Sequence, residues 1–444
     1  MENSNGEGTV STSAIRQILG ASFIGTAIEW YDFFLYGTAA SLVFGQLFFP
    51  GSDPLISTLS ALGTFAVGFV IRPLGGIIFG HFGDRLGRKT ILVLTLNMMG
   101  LATFLIGLLP TYETIGIWAP ILLVLLRIVQ GLGVGGEWGG AALMAVENSP
   151  EDRRGYYGSW PQMGVPAGLL LSTAIFFAVS LLPNEQFLAW GWRIPFLLSI
   201  ILVGVGLFVR LRIAESPAFS EIQESHTEAQ MPVVDVFRSY PKNLFVAIGA
   251  RVASDGGFYV FSVFVLDYAT RTLGLPRPTI LLGIAIASAI EIFTIPLFAV
   301  ISDRTGRRPI YLIGTALLLI LAYPYFLLIG TGSTVLVILA SVLALSIAHA
   351  TMYGPMSAFF AELFSARVRY SGSSMGYQLS AIIGGGAGPL IATYLVAAAG
   401  GSFWPVVAWM AMLCVITFVS VFAAEETYRG GEFATEQAAG EAGS

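Results

Sequence analysis

The chain has 444 residues, 55% of them apolar and only 11% charged, with a formal net charge of −5 and a mean hydropathy of +0.77. A soluble protein needs about twice that charged fraction to cover its surface, so the composition excludes a soluble multidomain protein. Runs such as ILLVLLRIVQGLGVGGEWGGAALMAV are long enough to cross about 30 Å of hydrocarbon as a helix, and they lack the short alternating strands of a membrane β-barrel.

The expected fold is an all-α polytopic membrane protein, with twelve transmembrane helices in two pseudo-symmetric six-helix bundles. Residues 1–17, MENSNGEGTVSTSAIRQ, are polar and not basic enough for a cleavable signal peptide; they read as a disordered cytoplasmic tail. Apolar spans follow at roughly 18–47, 57–80, 90–110, 117–147, 157–182 and 193–212, forming an N-terminal bundle over 18–212. Residues 213–242, IAESPAFSEIQESHTEAQMPVVDVFRSYPK, are charged and interrupted by proline, and read as a cytoplasmic central loop. Spans at 243–270, 278–301, 309–330, 334–361, 372–398 and 403–424 form a C-terminal bundle over 243–424, and 425–444 is a second cytoplasmic tail. Of the 22 Lys and Arg, only Arg193, Arg271 and Arg277 fall on the side away from the termini, while Arg72, Arg127 and Arg251 lie inside spans. The positive-inside rule therefore places both termini in the cytoplasm.

The two halves repeat each other. HFGDRLGRKT (81–90) follows the second span and ISDRTGRRPI (301–310) the eighth, both reading D-R-x-G-R-[KR]. ENSPEDRRGYYGS (147–159) and AELFSARVRYSGS (361–373) follow the fourth and tenth, each with a Glu, a polar turn and an Arg cluster. A duplicated bundle keeps its substrate site near the midplane between the halves and rocks around it. In the first pair, Gly83 and Gly87 allow a tight turn, and Asp84 can cap a helix or pair with a neighbouring arginine. With Arg85 and Arg88, and with Asp303, Arg304, Gly306 and Arg307 in the second copy, they are expected to hold a cytoplasmic gate.

Inside the spans, charge is confined to a few positions. The stretch GTAIEWYDFFLYG holds Glu29 and Asp32 three residues apart in an apolar run. Arg127, Gln130 and Glu137 lie in span four, Arg251 and Asp255 in span seven, and His349 and Tyr353 in span ten. Placing such groups in hydrocarbon is costly, so they usually face a cavity and have a partner. Spans one, four, seven and ten hold corresponding places in the three-helix units, so these residues are expected to line one central cavity. Glu29 and Asp32 share a helix face by spacing, as do Arg251 and Asp255. Gly131, Gly135 and Gly139 make a small-residue face for close helix approach, with Trp138 as a cavity wall or packing residue. Arg72, read as two turns above the cytoplasmic end of span two, is expected to snorkel or to pair with an acid such as Asp84. Glu291 has no partner evident from spacing, and His81 is expected at the interface. The single cysteine, Cys414, excludes an intrachain disulfide and a cysteine metal cluster.

These motifs resemble the major facilitator superfamily. Within it, GTAIEWYDFFLYG, RPLGGIIFGHFGDRLGRK, QGLGVGGEWGGAAL, WGWRIPF and ELFSARVRYSG are similar to the bacterial metabolite:proton symporters, over about residues 15 to 425. The resemblance implies a carrier, expected to be a monomer, that takes up solute across the bacterial inner membrane with protons. By position it implies that Asp32 and Arg127 form the proton-coupling pair. It further implies that Asp84, Arg85, Gly87 and Arg88 form a gate, and that Glu147, Arg154, Glu362 and Arg369 form a charge network beside it. GVPAG in span five and GAGP in span eleven only partly match the glycine–proline motif of drug antiporters.

The expected function is proton-coupled uptake of a small organic acid by alternating access, with Asp32 and Glu29 as the proton site beside Arg127. Arg127 and Arg251 can each grip a carboxylate. Asp255, Gln130, Glu137 and His349, with Tyr31, Tyr36, Trp138, Tyr259 and Tyr353 as walls, complete the expected substrate site. Alternatives are uptake of a zwitterion such as betaine or proline, a passive facilitator, and a proton–drug antiporter. No H-E-x-x-H, G-x-S-x-G or phosphate-binding Gly-Lys loop is present, so no enzyme chemistry, cofactor, metal or nucleic acid is expected, and the partners are the solute, protons and the lipid bilayer.

Overall fold

The computed structural model describes residues 12–51, 53–86, 88–135, 142–143, 145–147, 149–212, 232–365 and 368–428. The tails and most of the central loop lie outside them, as do Gly87, Glu137 and Trp138. Gly83, Asp84, Arg85 and Arg88 are described as helical backbone only.

Twelve long helical segments follow one another. The first half holds α1 (Thr12–Ala39), α2 (Pro54–Leu86), α3 (Arg88–Leu108), α4 (Trp118–Val134), α5 (Arg154–Ser180) and α6 (Arg193–Arg212). The second holds α7 (Pro241–Thr272), α8 (Arg277–Thr305), α9 (Arg307–Gly330), α10 (Thr334–Glu362), α11 (Arg369–Ala398) and α12 (Trp404–Ala423). Nine stretches of the described residues are long and apolar enough to cross a membrane, with shorter apolar helices at Val93–Leu108 and Trp118–Val134. Only a helix satisfies its backbone polar groups within a single segment, which is why the apolar runs fold this way.

Glycines decide how closely these helices approach. A Cβ on Gly75 would lie 2.1 Å from the carbonyl oxygen of Leu132, and one on Gly135 would lie 2.0 Å from that of Arg72. α2 and α4 therefore cross backbone to backbone, as small residues allow. α5 packs along both α1 and α8, and α2 packs along α11. Helix by helix, α2 corresponds to α8 and α5 to α11, so the same contact between the halves occurs twice. α1 and α7 also break at matching places, in π-turns at Ala40–Phe44 and Val260–Phe264. The two turns meet where Ser41 Oγ donates to the Val263 carbonyl at 3.1 Å.

The halves touch at both ends. At the end near the central loop, Asp303 Oδ1 accepts the N–H of Gly155 at 2.8 Å and Oδ2 that of Tyr156 at 2.8 Å. At the far end, Arg271 of α7 pairs with Asp267 at 2.9 Å and donates to Thr58 of α2. Also there, Arg193 donates to the carbonyls of Gly107 and Leu109 at 2.8 and 2.6 Å, closing the C-terminus of α3.

Candidate functional site

Midway between the ends lies a layer of buried polar residues. In the first half, Arg127 is fully buried. Its Nη1 donates to Gln130 Oε1 at 3.3 Å and its Nη2 to the Phe65 carbonyl at 3.3 Å. Gln130 Nε2 donates to Thr103 Oγ at 2.7 Å, and the Thr103 hydroxyl, which also reaches the Met99 carbonyl at 2.9 Å, faces the Asp32 carboxyl. Asp32 is 2% exposed, and its Oδ1 has no hydrogen-bond partner. Asp32 and Arg127 do not pair directly: the terminal nitrogens of Arg127 go to Gln130 and Phe65, and Thr103, which accepts from Gln130, lies near the Asp32 carboxyl. The Arg127 guanidinium is held instead against aromatic rings, stacking on Phe33 at 4.3 Å and Tyr36 at 4.3 Å. α2 leaves room for that guanidinium only because residue 68 is glycine: a Cβ there would lie 2.4 Å from Arg127 Nε.

In the second half, Arg251 pairs with Asp255 at 2.9 Å, as the i,i+4 spacing allows. It also donates to the Tyr377 carbonyl and to Ser380 Oγ at 3.4 Å, and lies 3.1 Å from the centre of the Tyr377 ring. Ser380 donates in turn to Asp255 Oδ2 at 3.4 Å. Glu291, unassigned by spacing, meets His349 Nδ1 at 2.5 Å. The His349 ring stacks on Tyr353 at 4.9 Å and lies 4.7 Å from Phe258, and the Tyr353 hydroxyl is 3.3 Å from that of Tyr377.

Aromatic rings close the space between the halves. Tyr259 of α7 meets Phe69 at 5.2 Å and Phe65 at 5.9 Å, and Phe34 meets Phe258 at 5.5 Å. The charged side chains beside these rings are buried. Tyr31 does not join it: its hydroxyl donates to the Pro195 carbonyl at 2.7 Å, toward α6. Tyr36 is held by Thr64 at 2.6 Å beside Arg127. Glu29 is buried. A groove of about 660 Å³, lined by Tyr112, Ile121 and Leu125, lies at the far end within the first half, away from this layer.

Sequence reasoning missed three contributors. Tyr377 and Ser380 come from α11, where a run of polar residues, SGSSMGYQLS, was the available signal. Thr103 gave no signal, since a lone threonine in an apolar span is ordinary. Arg72 was noticed but misplaced. α2 runs on to Leu86, so Arg72 sits nearly four turns from that end, and Asp84 lies about 18 Å away along the helix. Arg72 is 1% exposed and does not snorkel.

In the gate loops, Gly306 adopts φ +100°, a turn that favours glycine. Arg307 is fully buried and bridges Asp303 at 2.6 Å and Glu362 at 3.1 Å. Arg369 reaches Glu147 across the halves at 3.4 Å, while Arg154 pairs with Glu151 at 3.4 Å. Arg304 is exposed and lies outside this cluster.

The family model of sugar (and other) transporters matches residues 18–235, and that of the major facilitator superfamily matches residues 247–441. The shikimate transporter of Escherichia coli (strain K12) is 43% identical over 426 residues, covering 95% of this chain and 97% of that protein. The chain belongs to the major facilitator superfamily, beside its metabolite transporters. An inner membrane metabolite transport protein of the same organism is 41% identical over 417 residues, 93% of this chain and 94% of that protein. In fold, the chain is similar to the crystal structure of a D-xylose-proton symporter, with a TM-score of 0.70 at 19% identity, covering 94% and 99% of the two chains. The twelve-helix expectation is borne out, and the protein is a multi-pass inner-membrane transporter of small metabolites, not an enzyme.

Proposed function

We propose that the chain takes up a small organic acid together with protons, with both termini and the central loop in the cytoplasm. One observation carries this reading: the Asp32 carboxyl is buried with an unpartnered oxygen, close to Thr103, which Gln130 links to Arg127. Asp32 is the proton site. Thr103 has one hydroxyl proton, which points either to the Met99 carbonyl or to the carboxylate, so its rotation senses whether Asp32 is charged. Through Gln130 that state is read at Arg127, and from there at the interface between the halves. The acid class follows from the arginines of the central layer, and the similarity to a shikimate transporter supports it. The contacts at the cytoplasmic end, centred on Asp303 and Arg307, and those at the far end, centred on Arg271, are the two gates that open alternately.

The test uses de-energised vesicles of known orientation, to which shikimate, lactate and succinate are added one at a time while external pH is recorded. External alkalinisation on one acid, abolished by a protonophore, is the expected result. A labelled acid that equilibrates without moving protons would overturn the coupling.

A further inference from the structure

Three arginines lie in the central layer, and two of them are engaged. Arg251 is held by Asp255, Ser380 and the Tyr377 carbonyl, and Arg127 gives both terminal nitrogens to Gln130 and Phe65. Arg72 is different. Its Nε, Nη1 and Nη2 are all buried without a hydrogen-bond partner, although a guanidinium carries five N–H donors. What surrounds it is aromatic: its Cζ lies 4.1 Å from the Phe33 ring centre, 4.5 Å from that of Phe69 and 5.2 Å from that of Trp30. These rings hold the cation in place through their faces but accept none of its donors.

Arg72 also faces the right space. The charged groups near it are Arg251 of the second half and the buried Glu29 of its own, and through Phe69, 4.5 Å from its Cζ, it borders the interface about which the halves rock. Phe69 bridges Arg72 and Tyr259, with its ring 5.2 Å from that of Tyr259, and the Tyr259 hydroxyl is likewise buried without a partner. Phe33 touches Arg72 at 4.1 Å and Arg127 at 4.3 Å, so two like charges share one ring. An anion placed between the halves would relieve that repulsion and fill both sets of unused donors.

We propose that Arg72 is the carboxylate receptor of this carrier. The substrate's carboxylate takes the two-pronged guanidinium edge, with the Tyr259 hydroxyl as a further donor from the opposite half. A ligand bound this way joins α2 to α7, so its arrival couples the halves. The inference rests on the reading of the chain as an organic-acid carrier and says which residue recognises the acid group.

The test is binding to the purified full-length chain, followed by Trp fluorescence, with shikimate, lactate and succinate and their methyl esters as probes. For an acid that binds, Arg72→Gln weakens binding by about 30-fold or more and Arg72→Lys by about tenfold, while ester affinity stays within about threefold. Tyr259→Phe, which removes one oxygen, weakens the acid by about fivefold and leaves the ester unchanged. Wild-type affinity for the acid in a folded Arg72→Gln chain overturns the inference and leaves the proposed function standing. If Arg72→Gln does not fold, unchanged acid binding by Tyr259→Phe overturns it instead. Failure of the wild-type chain to bind any of the three acids overturns both.

Discussion

The carboxylate of Asp303 accepts the backbone N–H of Gly155 at 2.8 Å, so a side chain of the second half caps a helix of the first. Tyr156 supplies a second N–H at 2.8 Å, and Arg307 holds the carboxylate from behind at 2.6 Å. The N-terminus of α5 attracts negative charge, since its first N–H groups have no partner within the helix. Residue 155 must be glycine for this approach: a Cβ there would lie 2.7 Å from the Asp303 oxygen.

Removing that cap opens the loop end. Asp303→Ala costs the closed arrangement about 2 kcal/mol, or a shift of roughly 30-fold in its population. The amides of Gly155 and Tyr156 are then expected to exchange with deuterium at least about tenfold faster, while exchange at the far end is unchanged. Unaltered exchange at those two amides would show that Asp303 does not hold the gate.

Asp32→Asn keeps the shape of the side chain but removes its titration. Under an imposed pH gradient the accumulation ratio of a labelled acid is expected to fall to about one, while exchange of internal for external acid persists. Gradient-driven accumulation at the wild-type level would remove Asp32 from the coupling.

The glycine crossings make a stability prediction with an internal control. Gly75→Ala forces a methyl into the Leu132 carbonyl, where a Cβ would stand at 2.1 Å, and is expected to cost about 1–3 kcal/mol and lower the melting midpoint. Gly204→Ala in α6 meets nothing within 4 Å and is expected to leave the midpoint unchanged or raise it slightly. Equal midpoints for the two variants would mean that α2 and α4 do not cross as described.

At the far end, Arg271→Gln removes the ion pair to Asp267 and weakens the contact with Thr58. That pair is partly exposed, so the expected effect is only about 1 kcal/mol, or roughly fivefold in opening. A Ser41→Cys reporter reads it, since Ser41 is fully buried beside Val263 and the native Cys414 is itself buried. Faster thiol labelling is expected in the Arg271→Gln background, and the same rate in both backgrounds would deny Arg271 a gating role.

Twelve spans, two halves, repeated loops and a handful of charges inside the apolar runs were all legible in the residues. Each is a local property: hydropathy over about twenty positions, or a motif within ten. Arg251 and Asp255 could be placed on one face because i,i+4 spacing is also local. Partnerships between helices were not legible. Glu291 and His349 meet at 2.5 Å, yet neither pointed to the other in the sequence. Asp32 and Arg127 read as direct partners, yet the terminal nitrogens of Arg127 go to Gln130 and Phe65. Which charges meet depends on the rotation of each helix about its own axis. That rotation is set where glycines let backbones touch, as at Gly68, Gly75 and Gly135, and a change of one residue in register turns a side chain by about 100°. The sequence by itself determined that charges would be buried in a duplicated helical carrier. Only the tertiary packing decided that Arg127 and Arg251 would give their terminal nitrogens to neighbours while Arg72 would be left with all three nitrogens unpartnered.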